Sequence, residues 1–270
     1  MLNFISFGSG SSGNCYLLYT ETDSLLIDAG VGVRVLKKHM RNYGLSLSSI
    51  HHILITHDHA DHIKSVGNIS SEYDIPVYAT KKVHSGIKGN YSIKKKVPSH
   101  NIHSIDTNVP FVLGDFVITA FTVPHDSSDN VGYHIVYKNH VEFCIMTDIG
   151  YVTDEMKAFI ASADYLIIEA NHDVEMLKNG PYPQYLRDRI TSGFGHLNNV
   201  ACGEAIALNA TSKLKHIWLC HLSEENNHPI LAFKTIEQIL TSQGADLRPD
   251  YVLEVLKRKL PSGPYRLVQE

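Results

Sequence analysis

Residues 53–62 of this 270-residue chain constrain its fold more than any other stretch. The apolar run Ile53-Leu54-Ile55 reads as a buried strand, and it feeds directly into Thr56-His57-Asp58-His59-Ala60-Asp61-His62. Three histidines and Asp61 therefore crowd six residues at the end of a buried strand. Confining so many charges and lone pairs there is costly unless something binds them. A divalent metal does so, because neutral imidazole nitrogens and carboxylate oxygens are common ligands of first-row metals. Two residues at i and i+2 leaving a strand can point to one pole, and the following turn can aim Asp61 and His62 at a second. One short loop can thus seed two metal positions.

The rest of the composition narrows the setting. An apolar content of 43% supports a sizeable core. No run is long or apolar enough to span a bilayer, and Met1-Leu2-Asn3-Phe4-Ile5 reads as a first strand rather than a signal sequence. The expectation is a cytoplasmic protein without a membrane partner. Cys15, Cys144, Cys202 and Cys220 are scattered with no CxxC spacing, so they read as reduced core thiols. A net charge of −4 argues against coating nucleic acid through bulk charge but leaves room for a local basic patch.

No repeat, low-complexity segment or linker divides the chain, which reads as a single domain over 1–270. Strands are expected at 2–7, 15–19, 25–27, 53–55, 76–79, 116–123, 131–137, 142–146, 165–168, 217–220 and 253–255, with a turn at Lys138-Asn139. Helices are expected at 33–43, 62–73, 153–160, 198–208 and 230–240, with Thr153 as an N-cap. This order fits an α/β fold with two sheets and helices on their outer faces. A single doubly wound sheet is the competing arrangement.

A metal site needs ligands from more than one loop. Strand ends deliver side chains to the rim of a sheet, where open-sheet sites form. Three such ends carry suitable residues: His125 after Phe121-Thr122-Val123-Pro124, Asp148 after Phe143-Cys144-Ile145-Met146-Thr147, and His221 after Ile217-Trp218-Leu219-Cys220. His57, His59 and His125 can form one site, Asp61, His62 and His221 a second, and Asp148 can bridge them. Two ions roughly 3.5–4 Å apart can share a hydroxide as nucleophile and clamp an oxyanion, with the bound water brought to a pKa near ~7. Ligands of nitrogen and oxygen alone suit zinc or manganese, and the sequence does not choose between them.

The series His57-x-His59-x-Asp61-His62, His125, Asp148 and His221 resembles the full ligand set of the metallo-β-lactamase superfamily. Leu26-Ile27-Asp28-Ala29-Gly30 is similar to that superfamily's first motif, whose aspartate supports the site. The resemblance covers about Phe4 to Ser223. It implies a four-layer αββα sandwich of two mixed sheets with helices on the outer faces. Finer features, Gly10-Ser11-Ser12-Gly13-Asn14-Cys15, Thr147-Asp148-Ile149-Gly150, Glu169-Ala170-Asn171-His172-Asp173, Gly195-His196-Leu197-Asn198-Asn199 and His221-Leu222-Ser223-Glu224-Glu225-Asn226-Asn227, are similar to the YycJ/WalJ-like branch. That branch implies phosphodiester hydrolysis on DNA in the 5′-to-3′ direction by a dinuclear site.

His196 stands just before a helix start, where free amides and the helix dipole favour phosphate. It resembles the non-ligand histidine of related phosphodiesterases, so Asp61 and His196 are the expected catalytic residues, His196 as general acid. Asp28, Ser11, Asn14 and His172 are expected to support the site or approach substrate. Lys81, Lys82, Lys88 and the Lys94–Lys96 run can contact a phosphate backbone or simply face solvent. Two alternatives stay open: a thioester, lactone or β-lactam hydrolase on the same two ions, and a non-catalytic scaffold. The sequence leaves the oligomeric state open.

Overall fold

The structure is a computed structural model that describes residues 1–138 and 140–268. The chain divides into two compact units, each built on one seven-stranded sheet.

The first unit comprises residues 1–106, 127–130 and 257–268. Its first strands are β1 (Leu2–Gly8), β2 (Cys15–Tyr19) and β3 (Ser24–Ile27), followed by α1 (Val33–Asn42) and β4 (His52–Leu54). Then come α2 (Ala60–Ile63), α3 (Val66–Tyr73), β5 (Val77–Ala79), α4 (Lys81–Gly89) and β6 (Ile102–Ser104). β1 to β3 run antiparallel, and β3 to β6 run parallel. Side chains two residues apart share a face of a strand, which is why Ile5 with Phe7, Ile53 with Ile55 and Val77 with Ala79 enter one apolar cluster. Leu36 and Met40 of α1, Val66 and Ile69 of α3, and Val83 and Ile87 of α4 complete it.

The second unit comprises residues 107–126 and 131–256. It begins with β7 (Phe111–Leu113), β8 (Phe116–Thr122), β9 (Val131–Tyr137) and β10 (Val141–Met146), all antiparallel. α5 (Asp154–Ser162), β11 (Tyr165–Glu169), α6 (Val174–Asn179), α7 (Gln184–Thr191), α8 (Asn199–Asn209), β12 (His216–Cys220), α9 (Pro229–Ser242) and β13 (Val252–Val255) follow. β10, β11, β12 and β13 are parallel neighbours. Cys144 with Met146, Leu166 with Ile168 and Ile217 with Leu219 pack against Met156 and Ile160 of α5, Ile206 of α8 and Ile236 of α9. Thr153 caps α5 by accepting from the Met156 amide, as expected. The last strand, β14 (Ser262–Val268), belongs to the first unit and pairs antiparallel with β1.

Two mixed sheets with helices form, and not one doubly wound sheet. One expected helix is corrected. Residues 62–73 are not continuous but break between α2 and α3, because Ser65 gives its amide to the Ala29 carbonyl and its hydroxyl to the Val31 carbonyl. Those tertiary bonds outcompete one turn of helix. Strands β6, β7 and β14 and helices α4, α6 and α7 were not expected from the sequence. Half of the expected Lys138-Asn139 turn lies outside the described residues; Lys138 itself has φ +47°, as a tight turn requires. Among the described residues no helix is long and apolar enough to cross a membrane.

Gly30 marks a point where two backbones meet. A Cβ there would lie 1.5 Å from the Asp61 carbonyl oxygen. The approach exists because Asn14 donates its amide to that same carbonyl, and Gly30 donates to the Asn14 carbonyl. Gly30→Ala must displace the Asp61 backbone, so it is expected to lower stability by about 1–3 kcal/mol, the usual cost of overpacking. Urea denaturation checks this, and an unchanged midpoint would contradict the tight approach.

Candidate functional site

In the first unit, the fully buried Thr56 and His57 follow the end of β4, and α2 begins one residue after His59. The imidazole centroids of His57 and His62 are 4.0 Å apart, and those of His57 and His59 are 4.8 Å apart. Asp61 Oδ2 lies 3.6 Å from His62 Nε2. The loop therefore gathers His57, His59, Asp61 and His62, as the sequence predicted.

Asp28 orients this group from the end of β3, in the left-handed region at φ +59°. Its carboxylate accepts from His62 Nδ1–H at 2.7 Å, from the Thr56 amide at 2.9 Å and from the Thr56 hydroxyl at 3.0 Å. With that hydroxyl donated, the Thr56 oxygen is free to accept from His57 Nδ1–H at 3.0 Å. Both rings are thereby held in the tautomer that carries its lone pair on Nε2, the form a metal requires. The sequence suggested Asp28 as a support of the site, and the structure places it against His62 and Thr56. Asp58 serves otherwise: it accepts from the Ser128 amide at 3.0 Å and from the Ser128 hydroxyl.

Asn14 is fully buried, and its Oδ1 accepts from the Gly10 amide. That contact fixes which end carries the NH2, which donates to His62 Nε2 at 2.9 Å and to Asp61 Oδ2 at 3.2 Å. Asn14 thus touches the proposed ligands themselves. Ser11 is exposed on its loop. Lys94, Lys95 and Lys96 are exposed, and Lys96 donates to the Asn90 and Ile87 carbonyls at the end of α4, which gives it a structural task.

In the second unit, the ends of the parallel neighbours β10, β11 and β12 converge. They deliver Asp148, Glu169 and His221, and Asp148 and His221 stand at φ +56° and +52°. Non-glycine residues in that region are strained, and such strain concentrates at functional sites. One ligand atom each of Asp148, Glu169, His196 and His221 lies within 4.8 Å of the others. His125 follows β8, donates Nδ1–H to the Gly195 carbonyl at 3.0 Å, and places Nε2 3.8 Å from Asp148 Oδ1. The expected His125, Asp148, His196 and His221 therefore come together within this unit.

The residue that sequence reasoning undervalued is Glu169. It is fully buried, yet its carboxylate accepts four N–H bonds: His196 Nδ1 and His221 Nδ1 at 2.9 Å each, the Ile149 amide at 2.7 Å and the Leu197 amide at 3.0 Å. Burial alone would raise its pKa, but the charge of His196 and the bonds from both histidines outweigh burial and hold the carboxyl well below the usual range. Burial would likewise lower the His196 pKa. The Glu169 charge and hydrogen bond, helped by Asp148, reverse that and raise it. Anchoring Nδ1 of both rings turns their other nitrogens outward. His172 sits apart from this bonding, 2% exposed, with a pKa pushed down to about 4 chiefly by burial, so it is neutral.

Glu169→Gln tests the anchor. The amide NH2 faces N–H donors, so at least one buried bond is lost, and stability is expected to fall by about 1–3 kcal/mol. The sign on His196 follows: without the carboxylate its pKa drops, the protonated fraction shrinks, and the alkaline limb of the pH–activity profile moves to lower pH. An unmoved limb would show that Glu169 does not hold that charge.

The donor set fits divalent metal ions. Every candidate ligand is an imidazole or a carboxylate, the described cysteines are all buried thiols, and several ring orientations are fixed from behind by internal acceptors. The chain belongs to the β-lactamase superfamily: the family described as "Beta-lactamase superfamily domain" matches residues 24–222. It is 33% identical over 269 residues to "Exodeoxyribonuclease YycJ" of Bacillus anthracis, covering 97% of both chains. It is 36% identical over 243 residues to "Exodeoxyribonuclease WalJ" of Streptococcus pneumoniae, covering 90% of both. Among solved structures, the metallo-β-lactamase fold protein YhfI from Bacillus subtilis is similar at a TM-score of 0.71 and 18% identity, with 97% of this chain and 98% of that one covered. The chain is thus a metal-dependent hydrolase of the metallo-β-lactamase fold, with two mixed sheets and their helices as expected.

Proposed function

We propose that the whole chain acts as one catalytic domain, a 5′-to-3′ exonuclease on DNA. It would hold two divalent ions, zinc or manganese, through His57, His59, Asp61, His62, His125, Asp148 and His221. Support for DNA comes from the near full-length likeness to two proteins named exodeoxyribonucleases. Four free, buried thiols suit a cytoplasmic location.

The reaction class rests on one observation, the Glu169–His196 pair beside Asp148 and His221. Phosphodiester cleavage expels an alkoxide, which needs a proton, and His196 is a histidine whose pKa is raised by the buried Glu169 carboxylate against the lowering effect of its own burial. When held by these residues, divalent ions would supply Lewis-acid activation of water and of the phosphoryl oxygens. Asp61 takes the proton that the attacking water loses. The new P–O bond forms as the P–O3′ bond breaks, and the 3′ oxygen takes its proton from His196 Nε2. The products are one deoxynucleotide and a chain ending in a 5′-phosphate.

The direct test compares turnover of bis-p-nitrophenyl phosphate with that of a thioester and a lactone by the same metal-loaded protein. Phosphodiester turnover should dominate. Fast thioester or lactone turnover with an untouched phosphodiester would overturn the assignment.

A further inference from the structure

A cavity of about 710 Å³ opens in the second unit, between α5, α6, α7 and α8, and the steps above use only one residue of its wall, His196. The volume lies within the roughly 300–1,000 Å³ typical of small-ligand sites. Val152, Leu177, Leu197 and Ala205 give it apolar walls. Lys157, Lys178 and Arg187 line it together with Asp188 and Glu204. Arg187 is fixed in place, donating Nη1 to the Lys178 carbonyl at 2.6 Å and Nη2 to Gln184 Oε1 at 2.8 Å. Lys178 is exposed and has no ion-pair partner among the described residues. His172 also lines the cavity, and its Nδ1 has no hydrogen-bond partner among the described residues.

A proton donor must reach the leaving oxygen at about 2.6–3.2 Å. The leaving half of the substrate therefore lies on the side that His196 faces. Glu169 holds Nδ1 of that ring, and the ring borders this cavity. A groove that tracked only a phosphate backbone would be uniformly basic. This one combines apolar walls, an exposed aromatic ring at Tyr151 and charges of both signs, which suits a nucleobase with its sugar and phosphate.

We propose that this cavity receives the terminal deoxynucleotide, the leaving half of the substrate, with its base stacked on Tyr151, its 3′ oxygen at His196 and its 5′-phosphate near Lys178. This rests on the phosphodiesterase reading above. It makes the enzyme sensitive to the presence of a base on the departing nucleotide, while leaving base identity loosely read, because every base has a face to stack.

The experiment uses full-length, metal-loaded protein and two DNA duplexes that differ only in whether the 5′-terminal nucleotide carries a base or is abasic. The intact end should be released faster, by about ten-fold or more, the size of one base–aromatic stack. Tyr151→Ala should lose the same factor on the intact end and nothing further on the abasic end. Tyr151 is 52% exposed, so its truncation spares the core. Ala201→Phe, which fills the cavity from α8, should slow both ends. Both variants should keep wild-type metal content, because neither residue is among the proposed metal ligands. Wild-type protein that degrades both ends equally, with neither variant impaired on DNA, overturns the inference while leaving the nuclease in place. Wild-type protein that leaves all DNA intact overturns both.

Discussion

Replacing His59 with alanine is expected to weaken metal binding by more than about 100-fold, the upper range for losing a mere supporting partner of a ligand, and to remove most phosphodiester turnover with it. His59 leads into α2, and its ring lies 4.8 Å from that of His57, within a loop whose other histidines are fixed by Asp28 and Thr56. The variant keeps that support, so the loop should fold. What it loses is one nitrogen from a cluster that gathers lone pairs in a buried place. Added metal should then stabilise the variant less than the wild type against heat, because stabilisation follows binding to the native state. Elemental analysis and bis-p-nitrophenyl phosphate turnover together decide the matter. Full metal occupancy with full turnover would remove His59 from the ligand set.

The second large effect is at His196. Its alanine variant should lose about 10²–10⁴-fold in kcat on DNA, the usual contribution of a general acid, at unchanged metal content. The defect should shrink for bis-p-nitrophenyl phosphate, since p-nitrophenolate leaves with little need of a proton. Equal losses on good and poor leaving groups would instead mean that His196 binds phosphate in the ground state. No loss on either would reduce the ring to a neighbour of Glu169. Removing His196 also leaves Glu169 with three of its four donors, so folding is checked by circular dichroism in parallel.

Much of the site was legible because its chemistry is concentrated in residue types that rarely crowd together. His57, His59, Asp61 and His62 are adjacent in sequence, and His125, Asp148 and His221 each end an apolar strand. Glu169 obeys the same strand-end rule, following Tyr165-Leu166-Ile167-Ile168. Its importance lies in the four N–H groups it accepts, which come from distant positions. Asn14 was expected to support the site or approach substrate, and its amide touches His62 and Asp61. In the fold, β14 was hidden by Gly263-Pro264, which break a strand pattern, and α6 and α7 by Pro181 and Pro183 around them. The break at Ser65 was illegible because its cause is a pair of tertiary hydrogen bonds to Ala29 and Val31.

The central claim, a metal-dependent exonuclease on DNA, is tested most directly with 5′-labelled duplex DNA and the purified chain. After metal removal by a chelator the label should stay on full-length DNA. On adding back manganese or zinc it should appear first on the released mononucleotide, with wild-type protein but not His59→Ala. Label that is never released under either metal, or that is released equally well in excess chelator, would contradict the account.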